Sequence, residues 1–302
     1  MDVASAASAP DRPAAAALAE ATRTLLAAGV AGARLDAEVL LAEAWGTDRT
    51  GLFARLQEPV PAAALRHFGG FVARRAAREP LQYVIGRQEF WSRDFLVTRD
   101  VLIPRPETER LVELATALWA GRGTAGSPPR VAGREPLRVC DVGTGSGCLA
   151  VTLACEVPDA EVWSLDLSAA ALQVAACNAR RLGVGGRVRF ARSDLLDAAG
   201  GECFDLIVSN PPYVRSEEIG TLQRELAWEP RGALDGGADG LDVIRRLVPE
   251  ARARLAPGGV LLMEIGADQA PAVETLARAA GYATAAVRAD EAGLPRVLVA
   301  QR

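Results

Sequence analysis

The sequence is poor in the groups most enzymes use for acid–base work. Its 302 residues include one histidine, His67. That residue lies in "LRHFGGFVARR", a helical stretch where a surface or boundary position is expected. A lone histidine removes the usual nucleophilic triads and most histidine general bases. The five cysteines, Cys140, Cys148, Cys155, Cys177 and Cys203, are odd in number and form no C-x-x-C pair. With so little histidine beside them, reduced structural thiols are expected and no metal site is. No apolar run reaches the roughly 18 residues that suggest a membrane span. Asp2 stands where a signal peptide would be basic, and Glu20 and Arg23 interrupt the following apolar stretch. The net charge of −4 and pI near 5.3 argue against a broad electrostatic grip on nucleic acid, although a local basic patch is compatible with them. A cytoplasmic protein with no metal and no membrane partner is expected.

What the chain does have is apolar material: 50% of its residues are hydrophobic. That suffices for one large domain and a small one. Residues 1–12, rich in alanine, serine and proline, are expected to fray. From Pro13 to about Glu79 the apolar spacing is helical, with Gly29 and Gly46 as stops and Leu65, Phe68 and Val72 on one face. Residues 87–103 switch to an alternating pattern around "SRD", which predicts a β-hairpin. A helix follows from "PRPETE", and residues 121–136 read as a flexible Gly/Pro/Arg loop. From residue 137 onward strands and helices alternate, which predicts a mostly parallel sheet covered on both faces. The expected divisions are a helical domain over 1–84, a hairpin linker over 85–105, and an α/β domain over 106–302.

In such sheets ligands bind outside the carboxyl ends of the strands, and three features cluster there. The first is "DVGTGSG", 141–147, after the first strand of the repeat. Gly143, Gly145 and Gly147 allow a tight turn, with Thr144 and Ser146 between them, and the next helix offers free N–H groups. Cys148 stands where a dinucleotide fingerprint wants its third glycine, and the Gly-Lys-Ser/Thr of a phosphate loop is missing. The second is Asp166, at the tip of "EVWSLD", placed to accept from ribose hydroxyls. Its alternative is a helix cap, a role Ser168 suits better. The third is Asp194 with Leu195 after the next strand, near where an adenine would lie; a generic loop aspartate remains the alternative. Together they suggest an adenosyl ligand without pyrophosphate, and S-adenosyl-L-methionine fits.

"FDLIVSNPPYV" carries the chemistry. Pro211 and Pro212 have fixed φ angles and no N–H, so neighbouring carbonyls are left as acceptors. Asn210 supplies another acceptor through its side-chain oxygen, and Tyr213 offers a flat face. Two fixed acceptors can hold both hydrogens of a planar NH2 group and aim its nitrogen at a sulfonium methyl. An amide nitrogen is a poor nucleophile, so such a site works by positioning and charge stabilisation. The alternative for the motif is a structural turn.

Taken together, "PLQYVIGRQEFWSRDFLVTRDVLIPRPETERLVE", "DVGTGSGCLAV", "FDLIVSNPPYV" and "EPRGALDGGADGLDVIRRL" resemble the HemK/PrmC family. The resemblance implies a seven-stranded Rossmann-like class I methyltransferase domain with a small helical N-terminal domain that docks the substrate. It implies methylation of the glutamine in the Gly-Gly-Gln motif of class 1 peptide chain release factors, with S-adenosyl-L-methionine as cofactor. By position, Gly143 to Gly147 meet the methionine end, Asp166 the ribose, and Leu195 the adenine. Asn210, Pro211, Pro212 and Tyr213 hold the glutamine, and Arg105, Pro106 and Thr108 shape the pocket floor. One departure is "DEAGLPRV", 290–297, which keeps Arg296 but has Leu294 where relatives often carry arginine. Two other readings of the residues stay open. One is a nucleic-acid amino methyltransferase, which faces the acidic pI. The other is a non-catalytic adaptor that binds the same cofactor.

Overall fold

The structure, a computed structural model, describes residues 12–120 and 136–302. The expectations of a frayed start and a flexible 121–136 loop fall almost entirely outside these residues. The described residues form two compact units, one running through Gly86 and taking in Arg224–Trp228, the other comprising Arg87–Gln223 and Glu229–Arg302.

The first unit is helical: α1 (Ala14–Ala27), α2 (Ala33–Trp45), α3 (Arg49–Ala54), α4 (Ala62–Ala76) and α5 (Leu81–Ile85). Pro13 precedes the first turn of α1, and Gly29 and Gly46 leave their helices at φ +75° and +67°. Leu18, Leu25, Leu40, Leu41, Leu52 and Phe68 are buried together, each contributing about 1.5–3 kcal/mol by leaving water. Leu41 and Ala37 carry more of the α2 face than Val39, which is only partly buried. His67 is exposed, as its sequence setting suggests.

The second unit starts with a hairpin, β1 (Arg87–Phe90) and β2 (Arg93–Leu96). Its two-residue turn falls on Trp91 and Ser92, one residue before the expected "SRD". Both residues have positive φ, 52° and 55°, which matches the twist of a tight hairpin. The hairpin, expected as a linker, belongs to this unit. It is fastened by buried Asn178, whose side chain accepts from Leu96 N (2.8 Å) and donates to Leu96 O (2.9 Å).

After α6 (Glu109–Trp119) the alternation runs β3 (Arg138–Val142), α7 (Cys148–Glu156), β4 (Glu161–Asp166), α8 (Ala169–Arg181), β5 (Val188–Arg192) and β6 (Phe204–Ser209). It continues with α9 (Asp242–Arg254), β7 (Leu255–Glu264), α10 (Ala270–Ala279), β8 (Thr284–Ala289) and β9 (Pro295–Gln301). The sheet has seven strands in the order β5-β4-β3-β6-β7-β9-β8, with β9 antiparallel to both its neighbours. Every residue of β6 is buried, as an apolar central strand covered on both faces must be. From β3 the chain winds outward to β5, then returns to the other side of β3 as β6. That reversal opens a crevice at the carboxyl ends of β3 and β6.

Candidate active site

Strand register builds the site. Val142 pairs with Leu165 and with Ser209, and Ser209 pairs with Met263. The next residues along, Asp166, Gly143, Asn210 and Glu264, therefore form one row across four strands spaced about 4.8 Å apart. Asp166, Gly143 and Asn210 line a cavity of about 400 Å³. Ser209 ties the centre of the row together, its hydroxyl donating to Val142 O at 2.6 Å.

On one side of the cavity, Gly143 and Gly145 have φ of 77° and 55°, a conformation that favours glycine. Gly143 N and Thr144 N both donate to Leu165 O. Asp166 braces the loop, accepting from Gly145 N and from Ser168 N, each at 2.8 Å. Ser168 is the cap of α8, accepting from Ala171 N. Each carboxylate oxygen has a second lone pair, so bracing the loop does not exhaust Asp166. Behind the loop, Asp141 is fully buried and accepts from the Thr144 hydroxyl (2.6 Å) and Ala150 N (3.1 Å). Burial pushes its carboxyl up to about 7 against those two hydrogen bonds. Gly147 does not line the cavity. A Cβ there would lie 2.9 Å from Ala175 Cβ, so its glycine serves the close packing of α7 on α8. Asp194 and Leu195 line the far end. Asp194 is ion-paired with Arg246 at 2.8 Å, and Leu195 has a left-handed φ of 45°, at a cost of about 1–2 kcal/mol.

On the other side stand Asn210, Pro211 and Pro212. Asn210 Nδ2 donates to Thr108 Oγ1 at 3.0 Å, and Thr108 donates to Glu264 Oε2 at 2.7 Å. No hydrogen bond among the described residues engages Asn210 Oδ1, and the Pro211 carbonyl accepts from no backbone N–H among them. Tyr213 is not part of the cavity wall; its hydroxyl donates to Glu264 Oε1 at 3.0 Å. Burial and the Glu264 charge push the tyrosine pKa up, so it stays protonated. Burial also raises Glu264, opposed by the two hydroxyls and by the charge of Arg296. The following loop clamps this corner. A Cβ on Gly236 would lie 2.8 Å from Pro212 O, and one on Gly240 2.4 Å from Tyr213 O. Arg105 and Thr108 line the cavity floor; Arg105 is held by buried Glu229, which also accepts from Ile103 N.

The site thus joins most of the residues singled out from sequence and sets Gly147 and the Tyr213 ring outside the cavity wall. It adds Glu264, Glu229 and Asn178. The last also donates to Ser146 O at 2.9 Å and so fixes the glycine loop. Glu264 had a readable signal: it ends the apolar strand "VLLME" as Asp166 ends "EVWSLD".

The donor set suits S-adenosyl-L-methionine. Cationic Arg246 and Arg105 are already committed to Asp194 and Glu229, so the lining offers no uncommitted arginine for a pyrophosphate. It offers acceptors for hydroxyls, amines and a positive charge.

Comparison with known proteins agrees. Residues 16–86 match the family described as PrmC N-terminal domain and residues 131–237 the methyltransferase small domain. A release factor glutamine methyltransferase of Moorella thermoacetica is 46% identical over 95% of this chain and 97% of its own. One from Burkholderia pseudomallei is 49% identical over 87% of this chain and 90% of its own. In fold, the chain resembles a methyltransferase from Pyrococcus furiosus (TM-score 0.50, 18% identity, 70% and 89% of the two chains). It also resembles a Thermus thermophilus 16S rRNA N2 G1207 methyltransferase in complex with AdoMet and guanosine (TM-score 0.50, 20% identity, 72% and 49%). The chain belongs to the release factor glutamine methyltransferase family, enzymes that methylate a release factor glutamine with S-adenosyl-L-methionine as the methyl donor.

Proposed function

We propose that the methylated atom is the side-chain amide nitrogen of the glutamine in the Gly-Gly-Gln motif of class 1 release factors, and that Asn210 and Pro211 hold it. One observation carries this reading. Asn210, whose Oδ1 has no partner among the described residues, lines the same cavity as the Gly143 loop, one strand away in the same row. Asn210 Oδ1 and the Pro211 carbonyl accept the two amide hydrogens, and Tyr213 backs the corner. On taking the methyl group, whose bond to the cofactor sulfur breaks as the N–C bond forms, the nitrogen would give up conjugation and carry positive charge until one of its two hydrogens leaves as a proton to water. Its hydrogens become more acidic, so both acceptors bind the transition state more tightly than the ground state. The bound cofactor supplies an activated methyl group.

On the cofactor side, Gly143, Thr144, Gly145 and Ser146 take the methionine end, with Gly147 supporting the loop. Asp166 takes the ribose hydroxyls, and Asp194 and Leu195 the adenine. Arg105 shapes the glutamine side. The N-terminal domain, residues 1–84, docks the release factor, and the reaction belongs to the cytoplasm, where translation ends.

The test is incubation with labelled S-adenosyl-L-methionine and, separately, a release factor, tRNA and rRNA, or DNA. Label on the release factor alone, lost when its Gly-Gly-Gln glutamine is replaced, is expected. Label on RNA or DNA selects a nucleic-acid amine as substrate, and no label selects a non-catalytic cofactor binder.

A further inference from the structure

We infer that Thr108 and Glu264 are positioning residues that set which end of the Asn210 carboxamide faces the substrate. This deepens the reading of Asn210 given above and rests on it.

The argument is one of hydrogen-bond polarity. Asn210 presents either an oxygen or an NH2 group to the cavity, and the two differ by a flip of the amide. Only the oxygen can accept from a glutamine NH2; the flipped amide sets two NH2 groups against each other. The choice is made behind the site. Glu264 is 1% exposed and receives two hydroxyl donors, Thr108 at 2.7 Å and Tyr213 at 3.0 Å. Ionised, Glu264 only accepts, so the Thr108 proton is then committed to it. Thr108 Oγ1 can then only accept from Asn210, and what it accepts is Nδ2–H at 3.0 Å. The oxygen is thereby left for the cavity.

The chain of bonds is polarised in one direction, from amide to hydroxyl to carboxylate; its hydroxyl and carboxylate are buried and its amide half-buried, and reversing it there is costly. Thr108 is 2% exposed, at the end of a short turn, Pro106–Thr108, that Pro106 begins. The second arm of Glu264 grips Tyr213, so one carboxylate orients the side chain at the start of the Asn-Pro-Pro-Tyr turn and anchors its end. Among the described residues the Glu264 side chain makes no other hydrogen bond, and its place in the strand row puts it next to Asn210.

The test compares Thr108→Val, Thr108→Ser and Asn210→Ala, alone and combined, using release factor methylation and cofactor affinity. Thr108→Val keeps the shape and removes the hydroxyl. It should lower kcat about tenfold and leave the cofactor Kd within about twofold. Thr108→Ser should return kcat to within about threefold of wild type. In an Asn210→Ala background Thr108→Val should cost nothing further, because its effect passes through Asn210. A merely structural role would show instead as equal losses in both backgrounds. Side-chain amide exchange of Asn210, followed by NMR in the free enzyme, needs no release factor. It should be at least tenfold faster in Thr108→Val than in wild type or Thr108→Ser. If wild type labels no release factor, the functional reading fails and the exchange rates alone decide this one. Wild-type kcat in Thr108→Val, a serine variant as slow as valine, or unchanged amide exchange overturns it.

Discussion

Gly240→Ala probes whether the loop after the Asn-Pro-Pro-Tyr turn holds the substrate corner. Gly240 has φ +75°, and an added Cβ would lie 2.4 Å from Tyr213 O and 2.6 Å from Gln269 Nε2. The left-handed conformation costs alanine about 1–2 kcal/mol. Gln269 Nε2 donates to Tyr213 O at 3.0 Å and to Gly240 O at 3.2 Å, and displacing it forfeits about 1 kcal/mol per bond. Residual crowding adds about 1 kcal/mol or more. The sum is about 4 kcal/mol, which for a unit of this size lowers Tm on the order of 10 °C. Relief requires the Tyr213 carbonyl to move, and the acceptors at Asn210 and Pro211 move with it. Turnover should therefore fall at least tenfold, while cofactor affinity, assigned in our proposal to the Gly143 loop and Asp166, changes little. Gly183→Ala is the control. Gly183 has φ +76° with nothing within 4 Å of an added Cβ, so only the conformational cost, about 1–2 kcal/mol, applies. Scanning calorimetry and steady-state methylation of a release factor give both readouts. If Gly240→Ala behaves like Gly183→Ala in Tm and in kcat, the clamp does not exist.

Two further outcomes follow from the cofactor side. Asp166→Ala removes acceptors from Gly145 N and Ser168 N and, on the proposed reading, from the ribose hydroxyls. Calorimetric titration should show the cofactor Kd raised at least a hundredfold, and at saturating cofactor kcat should recover most of its value. Asp141 gives a pH signature: its carboxyl is at about 7 in the fold against 3.8 as a free group. The folded state therefore holds a proton that the unfolded chain has released, and stability falls as pH rises from about 4 to 7. Asp141→Asn should flatten that decline, by a few kcal/mol at most, in melts at pH 5 and pH 8 without cofactor; parallel declines would refute the assignment.

The central strands were legible because strands buried on both faces are short apolar runs, and β3, β4 and β6 each end at a turn signal: Gly143, the capping Ser168 and Asn210. The outermost strand, β8, was not read. "TAAVRA" is alanine-rich and only partly buried, and an edge strand packed on one side carries no strong period. Asp166 and Asn210 were recoverable because each stands beside a local cue, a glycine loop upstream or two prolines downstream. Glu264 has only its place at the end of "VLLME" as a cue, with no glycine loop or proline pair beside it, and its meaning lies in lateral register, once β7 is placed against β6. Tyr213 shows how a partner distant in sequence escapes a local motif: its hydroxyl donates to Glu264, 51 residues on.

The most direct measurement is the kinetic split in Asn210→Ala. If a fixed carboxamide oxygen holds the glutamine nitrogen toward the methyl donor, the variant should lose about a hundredfold or more in kcat, with cofactor Kd within a fewfold of wild type. Full turnover without that side chain, or a loss confined to cofactor affinity, would contradict the account.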